Sequence, residues 1–589
     1  MKFKKRFLPL VFALTLSQSL LSVGWAAGVD PQPAAYGYYV DNWAYNSTTY
    51  MTPDKNPAIG SLSRYLDLWT PGATWDTGTP KNYTVLNANI QKVITMTTHR
   101  TYSQAIQTYL DDRRNQNYSM TDGLGRFTAV FRSGAGAVTT IPDTVPTDAT
   151  TQLYNDTGDS NGNWAEESST LGNMVNLVDT IRNSSASTTP AKNYYKYPRP
   201  WRWSSSVIVL PTLVPAESSN PATDGGFPSG HTNAGTIAAL GIAYAVPERY
   251  QEMLTRASEL GSDRIFAGMH SPLDVMGGRL MATGITAAAL NNPANQALKT
   301  AAYNDAHTKL LTQNGTAMDR FSDYATNKKN YTDRLTYGFT QIGDKTKPMV
   351  VPKGAEVLLE TRLPYLDSTQ RRWVLYTTGI ASGYPLLDDA EGWGRLNLFA
   401  AADGYGAFVN DVTVTMDATK GSFNAMDLWR NDISGTGKLT KQGTGTLKLG
   451  GNNTYTGGTE IDKGDLEADS TTAFGSGKLI NNGGTFTKNV AGTLILGGQY
   501  TQSASSTLEL DLSSKTDLLQ IKGAATFGGT LKLNFSNNYI PANGSTIITC
   551  GTRVRSGVFS SVVTTGLPSG YTVNVTYNAN NVQLQVARQ

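Results

Sequence analysis

The sequence has one cysteine, four histidines and few charges. A lone Cys550 excludes any intramolecular disulfide, so the 589 residues must hold their shape by burial and backbone pairing. Cys550 follows Ile547-Ile548-Thr549, which reads as a strand, and its thiol is expected to be buried rather than to join two chains. Charged residues make up only 16%, and the formal net charge of +3 depends on Lys2, Lys4, Lys5 and Arg6. Without those four it becomes −1, which leaves no basic excess for binding nucleic acid. Long apolar runs are also missing. Past residue 26 the best stretch is Ala234 to Val246, too short for a bilayer and stopped by Pro247. The start of the chain is different: a basic beginning, an apolar run from Phe7 to Val23 and the small residues of Gly24-Trp25-Ala26-Ala27 read as a secretory signal peptide over 1–26. The protein is therefore expected to be exported to the periplasm, cell surface or medium, with no integral membrane segment after cleavage.

Candidate metal ligands are sparse as well. Asp156, Asp159, Asn161 and Asn163 suggest a calcium loop, but Trp164 stands where the loop needs glycine and Thr170 where it needs glutamate. A solvated loop is the expected form of 134–169. His99 and His307 belong to no motif and are read as surface or structural residues.

What is present is concentrated in 192–274. Gly226-Phe227-Pro228-Ser229-Gly230-His231 runs into a small, apolar stretch, Thr232 to Leu240, that reads as a helix. Ser229 occupies the N-cap position, and a serine followed by glycine leaves backbone N–H groups uncovered at the positive helix end, where an anion can bind. Upstream stand Lys192 and Arg199, the latter between Pro198 and Pro200, which stiffen the turn that presents it. Trp201 and Trp203 follow as candidate pocket walls or core aromatics. Downstream stand Arg264, His270 and Asp274. Ser271 reads as the N-cap of a helix opening on Pro272, which places His270 just outside that helix and Asp274 on its first turn, as partner of the imidazole or of the cap.

Taken together these segments are K-x6-R-P, P-S-G-H and R-x5-H-x3-D. This set resembles the three-part signature of the superfamily containing bacterial class A acid phosphatases, vanadium haloperoxidases and type-2 phosphatidic acid phosphatases. One position departs, since Asp263 precedes Arg264 where the family usually has serine. The resemblance implies an all-α helical-bundle domain that hydrolyses small-molecule phosphomonoesters without a metal or other cofactor. It implies His270 as a nucleophile forming a phosphohistidine, Asp274 as its partner and His231 as the general acid. Lys192, Arg199, Ser229, Gly230 and Arg264 would hold the phosphate. The same cage can hold vanadate, which would make the protein a haloperoxidase instead.

Helices are expected at Gly230 to Val246, Glu248 to about Gly268 and Pro272 to about Leu290, with one or two amphipathic helices over 84–118 and another from Leu171 to Arg182. Residues 28–83 read as an irregular arm and 291–365 as further helix, so the helical domain spans 27–404. Beyond it the composition changes. Gly445-Thr446-Leu447-Lys448-Leu449, Gly492-Thr493-Leu494-Ile495-Leu496 and Gly529-Thr530-Leu531-Lys532-Leu533 alternate apolar and polar residues between Gly/Asn turns, the pattern of a parallel β-helix-like solenoid over 405–589. Gly451 to Leu466 resembles the passenger-associated repeat of autotransporters, which implies cell-surface association and leaves an adhesin as an alternative role. The residues after the solenoid leave no room for a membrane β-barrel.

Overall fold

The computed structural model describes residues 31, 33, 34, 37–75, 77–551 and 555–589, so the expected signal peptide lies outside the described residues. The helical part is built around three consecutive helices, α1 (Gly230–Ala245), α2 (Tyr250–Phe266) and α3 (Pro272–Asn291). From Thr232 to Ala245 every residue of α1 is buried, which fits its Ala- and Gly-rich sequence: a helix apolar all round belongs in the middle of a bundle. Close approach depends on small residues. A Cβ on Gly278 of α3 would lie 2.6 Å from the carbonyl oxygen of Ser229, so glycine there lets α3 touch the start of α1. The amphipathic helices expected over 84–118 are Tyr83–Thr98, capped by Asn82, and Tyr102–Arg113, closed by a Thr101/Gln104 capping box, with a short Gln116–Met120 behind them.

Two expectations need correction. Residues 37–83, expected as an irregular arm packed on the helical domain, do pack there but are partly regular: they hold short helices at Tyr38–Asn42 and Pro57–Ser61, and Tyr39, Tyr65 and Trp69 sit in the core. The 291–365 region is helical only in part, at Gln296–Asp305 with a π turn to Leu310 and at Tyr324–Thr336. Glycines with positive φ at 338 and 354, and prolines at 348 and 352, account for the irregular remainder.

The C-terminal region is a parallel β-solenoid of about six turns over 407–535, as its rung pattern implies. Two seven-stranded sheets form its long faces, and a third of five strands completes it. Register is strict: Leu447, Leu466, Phe486, Leu508 and Leu531 stack in one column. The neighbouring column runs Leu449, Ala468, Lys488, Leu510, Leu533. Lys488 is thus a lysine in an aliphatic core. Its Nζ donates to the Val490 carbonyl at 2.6 Å and lies 3.7 Å from the buried Asp517 carboxylate. The winding does not reach the end of the chain, because Tyr571–Tyr577 and Asn581–Arg588 form an antiparallel pair that closes the third sheet. Cys550 is buried, as its strand-like context implies.

The two parts share one apolar core. At the joint, Asp427 on the first long-face strand (Met426–Trp429) receives Arg362 Nη1 at 2.7 Å and the Tyr365 hydroxyl, while Trp429 Nε1 donates to Tyr365 Oη at 2.8 Å. Arg362 and Asp427 are both buried, so this is a sealed contact rather than a linker.

Candidate active site

Each motif side chain is placed by a local device. Ser229 caps α1, its Oγ accepting from Thr232 N at 3.3 Å and from Thr232 Oγ1 at 2.9 Å, and its own N–H donates to the Asp274 carbonyl at 2.9 Å. The starts of α1 and α3 are thereby bonded together. Gly230 opens α1, and a Cβ there would meet only Thr188 Oγ1, at 3.4 Å, so the helix start stays uncrowded. His231, on the first turn, places Nε2 at 3.1 Å from the Asp112 carbonyl. A carbonyl only accepts, so Nε2 carries the proton. Burial, followed by the fields of Arg113, Arg199 and Lys192, lowers the His231 pKa to about 3.

His270 lies between α2 and α3, with its N–H on the Arg264 carbonyl at 3.1 Å. Its Nε2 is 2.7 Å from Arg199 Nη1. A guanidinium only donates, so Nε2 is the unprotonated nitrogen and the ring proton sits on Nδ1. Nδ1 faces Asp274 Oδ2 at 3.5 Å, too long for a hydrogen bond. The same Oδ2 accepts from Ser271 N at 2.7 Å, and Asp274 N lies 3.4 Å from Ser271 Oγ. Both sequence readings of Asp274 therefore hold at once: it closes the capping box of α3 and stands behind the imidazole. Burial pushes its carboxyl up to about 6, against the pull of Ser271, Lys192 and Arg199. Burial and then Arg199, Lys192 and Arg264 hold the His270 pKa well below the ordinary imidazole value, so the ring is neutral.

The cations come from three directions. Lys192, on the short helix Thr189–Tyr195, donates to the Gly225 carbonyl at 2.6 Å, and burial followed by Arg199 lowers its pKa to about 7. Arg199 caps the helix Pro200–Trp203; besides His270 it donates through Nε to Asp224 Oδ1 at 2.8 Å and through Nη1 to the Met269 carbonyl at 3.0 Å. Arg264 is buried and ion-paired with Asp112, which also accepts from Arg113 Nε at 2.7 Å. These groups surround a cavity of about 160 Å³ whose wall includes Arg113, Arg199, Arg264, His231, Trp201 and Glu217.

All eight residues singled out in the sequence are thus in one neighbourhood, in two layers. Arg199, His231 and Arg264 stand on the cavity wall. His270 is reached through Arg199, Asp274 backs it, and Lys192 is held by the Gly225 carbonyl, next in the chain to Asp224. Of the two tryptophans, Trp201 lines the cavity, whereas Trp203 packs 5.6 Å from Trp69 and 5.5 Å from Tyr197 and is a core residue. Asp263 does not touch this cluster. It faces Thr108 Oγ1 at 3.5 Å and the Asp111 carboxylate, and burial followed by Asp111 raises its pKa well above the carboxylate range. The 134–169 loop packs Ile141 and Ala149 beneath Met269, and Asp156 is occupied by the N–H groups of Asn115, Thr140 and Gly158. Among the described residues no three His, Cys, Asp or Glu side chains are grouped to hold a metal ion. No described helix is long and apolar enough to cross a membrane.

Sequence reasoning missed Asp112, Asp224 and Glu217. The signal for the first was available: Asp111-Asp112-Arg113-Arg114 sets two acids and two arginines at the end of one helix, and their fields point both ways, Asp111 to Arg256 and Asp112 to Arg264.

Comparison with known proteins matches residues 173–297 to the PAP2 superfamily model and 439–468 to the passenger-associated-transport-repeat. The chain is 38% identical over 92 residues to the non-specific acid phosphatase of Salmonella typhimurium, covering 16% of this chain and 35% of that one. It is 32% identical over 213 residues to the autotransporter lipoprotein NalP of Neisseria meningitidis, covering 33% and 19%. With an extracellular serine protease of Serratia marcescens it shares 33% over 163 residues, covering 22% and 15%. The chain thus spans between 15% and 35% of the length of these relatives. Every one of the eight site residues falls within the matched 173–297 segment, and the rungs at 439–468 fall within the solenoid: the chain carries a PAP2 superfamily domain followed by an autotransporter passenger repeat.

Proposed function

We propose that this chain is an exported, metal-independent acid phosphatase that hydrolyses phosphomonoesters through a phosphohistidine on His270. The observation that carries the reading is the tautomer of His270: Arg199 donates to Nε2, so the lone pair faces the cations, and the ring proton faces Asp274. A phosphate entering the cavity draws Arg199, Arg264, Lys192 and the α1 N–H groups onto its oxygens, and Nε2 is released to attack phosphorus in line. As the N–P bond forms and the ester P–O bond breaks, the imidazole becomes cationic and Asp274 stabilises it. The departing oxygen takes a proton from His231. That ring is neutral in the empty site, so it acquires its second proton when the phosphate charge offsets Arg113, Arg199 and Lys192. It then accepts a proton from the water that cleaves the phosphohistidine. Export is supported by the signal-like start of the sequence and by relatives whose names place them outside the cell or in autotransport.

The test is turnover of an aryl phosphate by the secreted protein, with capture of a labelled histidine after an alkaline denaturing quench, which preserves the acid-labile P–N bond. Activity is expected to persist in EDTA and to be inhibited by vanadate. Activity abolished by EDTA and restored by a divalent ion overturns the mechanism, and bromide oxidation with vanadate and peroxide in place of phosphate release reassigns the site as a haloperoxidase.

A further inference from the structure

Three acids stand on the cavity wall, and two are fully engaged. Asp112 is held by Arg113 and Arg264, and Asp224 by Arg199 Nε at 2.8 Å and Arg202 Nη2 at 3.1 Å. The third, Glu217, is different. Among the described residues its carboxylate makes no hydrogen bond and no ion pair, although it is half-buried on the wall of a site built to attract anions. A free carboxylate opposes a phosphate dianion, so it weakens binding unless something on the substrate answers it. Beside it on the wall is the Trp201 indole, whose ring is already covered on one side by the Arg202 guanidinium at 4.0 Å, and the Ser218 carbonyl is taken by Arg202 at 2.7 Å. Among the described residues Glu217 is thus the wall carboxylate with no hydrogen bond or ion pair of its own; Arg202 and Asp224 act on it only through their opposing fields, and it can take a cation.

The charge count points the same way. On the cavity wall Arg113, Arg199 and Arg264 face Asp112, Asp224 and Glu217, three charges of each sign. A phosphate dianion leaves that wall negative; the second proton taken up by His231 answers one of its two charges, and a positive group on the leaving alcohol answers the other. The cavity, of about 160 Å³, has room for a phosphate and a small leaving group.

Resting on the phosphatase reading above, we propose that Glu217 is a specificity-determining residue and that the site is built for phosphate esters of small amino alcohols, ethanolamine phosphate being the simplest. The ester oxygen sits toward His231 and the ammonium toward Glu217. An ammonium to carboxylate hydrogen bond of this kind discriminates by about 10- to 100-fold, the range for hydrogen bonds to charged groups.

The experiment compares kcat/KM for ethanolamine phosphate, glycerol phosphate and propyl phosphate at one pH, in the full-length secreted protein and its Glu217→Gln and Glu217→Lys variants. The expected result is a preference of about 10-fold or more for ethanolamine over propyl phosphate in the parent, abolished in Glu217→Gln. In Glu217→Lys the preference turns toward an anionic leaving group such as that of phosphoglycolate. Equal rates on all three esters in the parent, a preference for glycerol phosphate, or a Glu217→Gln loss that is uniform across substrates each overturns the proposal. Hydrolysis of nitrophenyl phosphate separates this failure from failure of the phosphatase reading. If the parent hydrolyses nothing, calorimetric binding of ethanolamine phosphate against propyl phosphate still decides whether Glu217 reads the cation.

Discussion

The two histidines of the site, His270 buried and His231 partly so, are both neutral, yet their hydrogen bonds assign them different work. His270 offers a lone pair at Nε2, and His231 holds a proton at Nε2. His270→Ala is expected to abolish alkali-stable, acid-labile labelling and to reduce turnover of every ester by several orders of magnitude. His231→Ala should lose about 10²- to 10⁴-fold on an alkyl phosphate and much less on a nitrophenyl ester, whose oxygen leaves without a proton. Label retained in the His270 variant and lost in the His231 variant would reverse the assignment. A second prediction concerns Lys192, whose pKa of about 7 is low because burial and Arg199 disfavour its charge. Below pH 7 it is protonated and binds an anion; above pH 7 binding must first recharge it, so affinity should fall by up to about tenfold per pH unit. Sulfate, a dianion throughout this range, is the suitable competitive probe. Lys192→Arg should remove that alkaline limb, and an unchanged limb in the variant would assign it to another group.

Between elements, the packing of Tyr102–Arg113 on α2 is where the departure at Asp263 is accommodated. Asp111 is paired with the buried Arg256, and the adjacent Asp263 stays protonated beside it. A folded-state pKa raised above the unfolded value means that the native protein keeps a proton the unfolded chain releases above about pH 4. Stability from this source is complete at low pH and is lost as pH rises toward the folded pKa, at up to about 1.4 kcal/mol per pH unit. Asp263→Asn keeps a donor toward Asp111 and has no proton to lose. Its melting temperature relative to the parent should therefore climb as pH rises above about 4, and a pH-independent difference would show that the pair is not linked to folding in this way. Much at this scale could be read in advance. Ser271 before Pro272 and Ser229 before Gly230 are local signals, and they fixed the starts of two helices because caps act within one turn. Asp224 could not be found that way, because it matters through arginines more than 20 residues distant in the chain. Lys488 was invisible for a related reason: a lysine at an inward position breaks the alternation that identifies a rung, and only the folded stack supplies the Val490 carbonyl that receives it.

At the scale of the molecule, the change of composition near Gly404 marks a change of architecture, but the physical joint lies further on. The Trp429 ring crowds Gly404, where a Cβ would come within 2.4 Å of it, and Asp427 answers the buried Arg362. Asp427→Ala leaves that guanidinium buried and unpaired, a loss of about 3–5 kcal/mol when one partner of a buried pair is removed. The effect should appear as earlier thermal loss of aryl phosphatase activity, although the cavity has no residue from the solenoid. For the same reason a fragment ending at 404 should be less stable than one ending at 436, and equal melting temperatures for the two would place the boundary where composition alone puts it. The sealed joint also has a mechanical meaning. Six rungs at about 4.8 Å each extend some 29 Å, and because the first of them is locked to the helices by a buried ion pair rather than by a tether, the solenoid acts as a rigid boom. Were a surface to hold the far end, the cavity mouth would keep one height and one heading relative to it, at a fixed standoff, and would not sweep the volume a flexible leash allows.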